Sequence, residues 1–150
     1  MVPNYQHALI VGAGAGLSAS LARLFAKEGL RVSLAARDPG DLADLCGETG
    51  AGAHACDATS REDVAGLFAA LEAGPGAPDV VIYNPSGRVR GPFIEIDQEA
   101  VQKALMVTAY GGFLVAQEAA KRMLPRGHGA LLFTGASASV KGYPQSASFA

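Results

Sequence analysis

A cluster of glycines between a short apolar run and a helical pattern constrains the fold of this chain more than any other feature. The apolar run at residues 8–11 is typical of a strand buried on both faces, and it stops at Gly12. Apolar residues then recur at helical spacing from Leu17, and Gly29 stands where a left-handed helix cap belongs. The pattern predicts a strand, a tight turn and a helix in direct succession.

The remaining sequence repeats this alternation of strand and helix. Further strands are predicted at residues 31–36, 51–56, 79–83 and 130–134. The helices predicted between them are residues 39–46, a helix capped by Ser60 and Asp63, and a long helix from Asp97 to about Met123. This order predicts a parallel, doubly wound sheet with helices on both faces. We therefore expect one Rossmann-type α/β domain, in three α/β/α layers, over residues 1–150.

The glycine-rich turn has the composition of a phosphate-binding turn. In residues 12–16, Gly-Ala-Gly-Ala-Gly, the missing side chains let the backbone bend sharply and approach a pyrophosphate. The helix that follows offers the amides of Leu17 and Ser18 and the positive end of its dipole. A Walker loop is excluded, because no Gly-Lys-Ser/Thr sequence follows. The turn predicts a dinucleotide site; the alternative is a tight turn that only packs the helix on the strand.

The end of the second predicted strand distinguishes the two nicotinamide cofactors. At this position an acidic side chain favours the ribose hydroxyl of NAD, whereas an arginine favours the additional phosphate of NADP. Here Ala36 is followed by Arg37, whose guanidinium can donate two parallel hydrogen bonds to a phosphate. We predict NADP as the cofactor in preference to NAD. The alternative is that Arg37 forms a solvated pair with Asp38.

Composition and charge exclude several other classes of protein. The formal net charge is −2 and the 12 Lys and Arg residues are scattered, so a nucleic-acid partner is not expected. No apolar run has the length of a membrane span or the pattern of a secretory signal. Cys46 and Cys56 are isolated from the histidines, which predicts free thiols in a reducing compartment and no metal site. We expect a cytoplasmic protein without a membrane partner.

Several motifs, in the same order along essentially the whole chain, resemble those of the short-chain dehydrogenase/reductase family. Residues 12–18 are similar to the family's Gly-x-x-x-Gly-x-Gly turn, with Ser18 in place of the last glycine. Residues 56–59 are similar to its Asp segment after the third strand, and residues 79–87 to its Asn-Asn-Ala-Gly strand end. The resemblance implies cofactor-binding positions at Gly12, Gly14, Ala15, Gly16, Leu17, Arg37, Asp57, Ala58, Asn84, Ser86 and Gly87.

The resemblance also implies catalytic positions, and here the sequence departs from the family. Family members use a Tyr as the acid or base, together with a Lys, a Ser and an Asn. Alignment places Thr108 at the Asn position and Phe149, which has no hydroxyl, at the Tyr position, and the Lys would lie beyond the last residue. The Ser position falls on Ala136 or, with a shift of one residue, on Ser137, and we choose Ser137. Tyr143 is an alternative acid if its loop folds inward.

The sequence therefore predicts the N-terminal part of a longer dehydrogenase, truncated after the fifth strand. We expect NADP-dependent hydride transfer between the nicotinamide and a small alcohol or carbonyl substrate. A catalytically impaired NADP-binding sensor or scaffold, which Phe149 favours, is the main alternative. An α/β hydrolase is a weaker one, because the turn at residues 135–139 lacks the closing glycine of a nucleophile elbow. The helix from Asp97 resembles the one through which family members dimerise, so we expect a homodimer or homotetramer.

Overall fold

Five parallel strands form the centre of the part of the chain that the structure describes, residues 4–148 of a computed structural model. The strands are β1 (His7–Val11), β2 (Arg31–Ala36), β3 (Gly52–Ala55), β4 (Val80–Tyr83) and β5 (Ala130–Phe133). They lie in the order β3-β2-β1-β4-β5, and every neighbouring pair is parallel. The strand order reverses between β1 and β4, so the carboxyl ends of these two strands flank the crevice where ligands bind in such sheets.

Helices cover both faces of this sheet. They are α1 (Leu17–Lys27), α2 (Ala43–Thr49), α3 (Arg61–Ala73), α4 (Gln98–Leu105) and α5 (Gly111–Arg126). The pair α1 and α2 packs on one face, and the pair α3 and α5 packs on the other. Side chains of β1 alternate between them: Ala8 and Ile10 join the first cluster, whereas Leu9 and Val11 join the second. The Rossmann-type fold in three layers that the sequence predicts is confirmed.

The single long helix predicted from Asp97 to Met123 is wrong in one respect, because a π-helical turn at Met106–Tyr110 interrupts it. Asp97 does cap α4, since its carboxylate accepts a hydrogen bond from the amide of Ala100 at 2.9 Å. After the π turn the helix continues as α5 and ends at Gly127, whose φ of 72° is left-handed. Apolar periodicity misses such a turn, because it inserts roughly one residue into an otherwise helical pattern.

Another predicted helix differs from the structure at both ends. The helix predicted at residues 39–46 begins as a 3-10 turn (Gly40–Leu42) and continues as α2 to Thr49, where Gly50 reverses the chain with a φ of 71°. The left-handed cap predicted at Gly29 is confirmed by its φ of 85°. The glycine at position 29 therefore located the end of α1, whereas the apolar pattern ended the second helix three residues before Thr49.

The amino edge of the sheet, where the strands begin, is closed by a polar cluster around Asp79. One carboxylate oxygen of Asp79 accepts hydrogen bonds from the amides of Gln6 and His7, at 2.7 and 3.1 Å. The other lies 2.8 Å from a guanidinium nitrogen of Arg126 and 3.2 Å from the ring of His128. Burial alone would raise the pKa of Asp79, but these two amides and Arg126 outweigh it, so the pKa lies below its ordinary value. Asp79 therefore stays ionised and joins β1, β4 and the end of α5.

None of the helices within residues 4–148 has the length and apolar content that crossing a membrane would require.

Candidate functional site: two cavities at the carboxyl edge of the sheet

A cavity of about 1020 Å³ lies at the carboxyl ends of the central strands. Most of the predicted cofactor-binding residues line it, namely Gly12, Gly14, Ala15, Arg37, Asp57, Ala58, Asn84, Ser86 and Gly87. Leu17 instead lines a second cavity of about 440 Å³ beside it, and Gly16 is the N-cap of α1. Asn84, Ser86 and Gly87 line both cavities, so the strand end after β4 separates them.

The glycines at the start of α1 serve two different purposes. Gly12 has a left-handed φ of 81°, and a Cβ there would lie 2.5 Å from the backbone nitrogen of Pro85, so this glycine is required by packing. A Cβ at Gly14 or Gly16 would meet nothing within 4 Å. A tight turn that only packs helix on strand explains Gly12 but not Gly14 and Gly16. These two leave an open approach to the first turn of α1, which is the shape a bound phosphate needs.

The N-terminus of α1 differs from those of α3 and α4. Ser60 caps α3 by accepting from the amide of Asp63 at 3.1 Å, and Asp97 caps α4 in the same way. Gly16, the N-cap of α1, offers no side chain for this purpose. The amide of Ala19 donates to the carbonyl of Gly16 at 3.1 Å, whereas the amides of Leu17 and Ser18, at the very start of the helix, have no acceptor earlier in α1. Together with the helix dipole, these two amides favour an anion at this end.

A chain of hydrogen bonds between side chains joins β5, β4 and the glycine-rich turn. The hydroxyl of Thr134 donates to the side-chain oxygen of Asn84, and the amide of Asn84 donates to the hydroxyl of Ser18, both at 2.8 Å. Ser18 in turn donates to the carbonyl of Gly12 at 3.1 Å. Neither Thr134 nor this role of Ser18 is predicted from the sequence. The departure at Ser18 from the family's glycine was the available signal, because a buried hydroxyl must find partners.

Charged side chains gather at the end of the first cavity formed by β2 and β3. Arg37 and Asp38 both line it, but a carboxylate oxygen of Asp38 accepts from the amide of Gly40 at 2.9 Å. Asp57 accepts from the amide and the hydroxyl of Thr59, which lower its pKa, and the charge of Arg37 acts in the same direction. The two carboxylates are thus engaged by neighbouring residues, and Arg37 supplies positive charge to the cavity.

The second cavity includes Thr108, one of the implied catalytic positions. It is lined by hydroxyl-bearing side chains that include Tyr83, Thr108, Thr134 and Ser148. Thr108 lies in the π turn and donates to the carbonyl of Ala104 at 2.7 Å. Ser148 donates to the carbonyl of Val89 at 2.6 Å and accepts from its amide at 3.2 Å, which ties the loop after β4 to the segment after β5.

The residues predicted around the catalytic Ser and Tyr positions do not converge on this cavity. Ala136 lines it, whereas Ser137 is exposed and is not among its lining residues. The hydroxyl of Ser137 lies 3.2 Å from that of Tyr143, which is 47% exposed and also lies outside the lining. Phe149 lies outside the described residues. A catalytic role for Ser137 therefore stays a prediction.

Comparison with known proteins places this chain in a family. A family model described as short chain dehydrogenase matches residues 6–150. The chain is 34% identical over 137 residues to (+)-borneol dehydrogenase 1 of Salvia officinalis, covering 85% of this chain and 50% of that protein. It is 36% identical over 143 residues to momilactone A synthase of Oryza sativa subsp. japonica, covering 90% and 52%. The chain thus spans about half the length of the curated relatives it matches.

Solved structures agree with the sequence relatives. A variant of actinorhodin polyketide ketoreductase crystallised with NADPH has a TM-score of 0.91 and 28% identity, covering 97% of this chain and 58% of that one. A short-chain dehydrogenase from Rhodopseudomonas palustris has a TM-score of 0.87 and 30% identity, covering 98% and 71%. The glycine-rich turn, the parallel sheet and a family match over nearly the whole sequence lead to one conclusion: the chain belongs to the short-chain dehydrogenase family.

Proposed function

We propose that this chain binds NADP in the cavity at the carboxyl edge and serves hydride transfer between the nicotinamide and an alcohol or carbonyl. The observation that carries the proposal is the uncapped N-terminus of α1, which opens through Gly14 and Gly16 toward a cavity large enough for a dinucleotide. Relatives named as dehydrogenases, and the ketoreductase crystallised with NADPH, support the same reading.

The preference for NADP rests on the charges at the end of β2. Arg37 lines the cavity and can bind the additional phosphate of NADP through two parallel hydrogen bonds. Asp38 carries the charge that would oppose this phosphate, and one of its carboxylate oxygens accepts a hydrogen bond from the amide of Gly40, which turns it toward the backbone of its own loop. Asp57 lines the same cavity, and the family resemblance implies that its carboxylate would accept from the adenine amino group.

Fluorescence titration with NADPH and NADH tests the cofactor preference. We expect tighter binding of NADPH, and an Arg37→Ala substitution should weaken NADPH by about tenfold to a hundredfold while leaving NADH nearly unchanged. Arg23→Ala is the matched control, because the guanidinium of Arg23 pairs with Glu48 on the surface and does not line the cavity. Equal or tighter binding of NADH by the unaltered protein would overturn the preference.

Bound NADPH would supply a hydride to a carbonyl carbon, and NADP⁺ would accept one from an alcohol. The second cavity is the part of this chain that would receive the nicotinamide and the substrate, because it adjoins the first at Asn84, Ser86 and Gly87. The hydroxyls of Tyr83, Thr108 and Ser148 already donate to backbone carbonyls, and that of Thr134 donates to Asn84. They can orient a substrate but are poorly placed to give it a proton.

This arrangement of donors favours a second candidate function, an NADP-binding sensor or scaffold with impaired catalysis. Phe149, at the implied Tyr position, has no hydroxyl, and Ser137, chosen for the Ser position, does not line the second cavity. Turnover of NADPH with a panel of aldehydes and ketones separates the two candidates. If the protein is an enzyme limited by its missing phenol, Phe149→Tyr should raise kcat by about 10²-fold or more. Unchanged activity would show that the phenol position is irrelevant, and NADPH binding without turnover would favour the sensor.

Assembly and location complete the proposal. Apolar side chains on the helix from α4 through α5, namely Leu105, Met106 and Phe113, are exposed and offer a surface for a second copy. A homodimer or homotetramer is therefore part of the proposed function. The cytoplasmic location expected from the isolated cysteines is part of it as well. Light scattering after gel filtration tests the assembly: a Phe113→Glu substitution should shift the mass toward that of the single chain. A single-chain mass for the unaltered protein would contradict it.

A further inference from the structure

The π turn between α4 and α5 is held by a side chain from the sheet. In this turn the amide of Gly111 bonds to the carbonyl of Met106, five residues back, instead of the residue four back as in an α-helix. Such a turn disturbs the regular pairing of backbone groups and needs support from outside the helix. The hydroxyl of Tyr83, at the end of β4, donates to the carbonyl of Val107 within the turn.

The surroundings of Tyr83 are shaped around this contact. Its side chain is buried, with 3% of its surface exposed, and burial first, then the charges of Cys56 and Asp57, raise its pKa to about 12, so it keeps its proton. Gly111 provides the space, because a Cβ there would overlap the Tyr83 hydroxyl and lie 2.9 Å from the carbonyl of Ala58. The phenol and the glycine therefore form a matched pair: a larger residue at 111 would displace the phenol from Val107.

The contact lies next to a residue that lines the second cavity. Thr108 follows Val107 in the turn and, like Tyr83 itself, lines that cavity. We propose that Tyr83 is a positioning residue, whose hydroxyl holds the π turn in the register that places Thr108 on the nicotinamide side of the site. This inference rests on the proposed function for its consequence in catalysis, but the local contact can be tested without it.

Hydrogen exchange on the full chain tests the contact directly. In Tyr83→Phe, which keeps the ring and removes the donor, amides 107–112 should exchange about tenfold faster, while amides of β1 and β2 should be nearly unchanged. Tyr110→Phe is the matched control, because it removes a phenol hydroxyl from the same turn without touching Val107. Unchanged exchange in 107–112, or equal acceleration throughout the sheet, would overturn the positioning role.

A second pair of measurements connects the contact to the site. In Tyr83→Phe, the NADPH dissociation constant should change less than about threefold, because the phosphate turn is untouched. The emission of bound NADPH should shift. If a carbonyl substrate is reduced, kcat should fall about tenfold at constant KM. An unchanged emission or kcat, with faster exchange in 107–112, would overturn the link to the nicotinamide. Absence of NADPH binding in the unaltered protein would instead contradict the proposed function, and the exchange result would still decide the contact.

Discussion

The two edges of the same sheet treat their polar groups in opposite ways. At the amino edge, the carboxylate of Asp79 takes hydrogen bonds from two amides, Arg126 and His128, all supplied by the protein. At the carboxyl edge, the first turn of α1 has no side-chain cap, and Gly14 and Gly16 face open space. At the amino edge the polar groups bond to one another and hold the strands together. At the carboxyl edge the amides at the start of α1 have no side-chain acceptor. Substitutions at the two edges should therefore separate stability from binding.

The largest effect is expected at the amino edge. Asp79→Asn removes a buried charge from between Arg126 and the amides of Gln6 and His7, and should lower the free energy of unfolding by about 3 kcal/mol. The NADPH dissociation constant of the folded fraction should not change. Urea unfolding and NADPH titration measure the two quantities. Glu48→Gln, which breaks the exposed pair with Arg23, is the control and should shift stability far less. A large change in NADPH affinity in the Asp79 variant would break the comparison.

The opposite result is expected at Gly14. Gly14→Val places a side chain in open space before α1, so the free energy of unfolding should change little, while NADPH binding weakens by about thirtyfold, or roughly 2 kcal/mol. Gly47→Val is the matched control, because a Cβ at Gly47 also meets nothing within 4 Å and Gly47 lies away from both cavities. Equal NADPH affinity in the two variants would mean that the glycine-rich turn does not hold the cofactor.

Ser18 lies where the two roles meet, so a smaller and mixed effect is expected there. Its hydroxyl is 1% exposed and connects Asn84 to the carbonyl of Gly12. Ser18→Ala should lower the free energy of unfolding by about 1 kcal/mol and weaken NADPH binding severalfold, because Asn84 loses its acceptor beside the site. Ser20→Ala, exposed on α1, is the control. A stability loss without any change in NADPH binding would assign Ser18 to the amino-edge pattern instead.

The sequence predicted the fold and the glycine-rich turn well because both depend on short-range patterns. Apolar runs located the strands, and glycines located the turns, since left-handed φ values at Gly12 and Gly29 leave few alternatives. What it missed depends on contacts between distant residues. The π turn is supported by Tyr83, which is 24 residues from Val107, and the amino-edge cluster joins Asp79 to His7 over 72 residues. Spacing along the chain cannot report such pairs. In the sequence, Tyr83 and Asp79 have the appearance of ordinary strand ends.

The smallest expected effect is a loss of stability in acid that comes from His7 and Asp79 at the amino edge. Burial lowers the pKa of His7, so between its folded value and about 6.5 the unfolded chain binds the proton first, and stability falls as the pH falls through this window. The lowered pKa of Asp79 adds a second loss of the same sign, starting below about pH 4. Urea midpoints between about pH 7.5 and pH 3.5 should show both losses. His7→Gln should remove the first loss. Asp79→Asn should reduce the second, to which Asp57 and Glu118 also contribute because their pKa values are lowered too. His54→Gln measures the share of the other histidine whose pKa is lowered by burial. A urea midpoint that stays constant down to about pH 4 would contradict the assignment of the first loss to His7, because a buried neutral imidazole must resist protonation there.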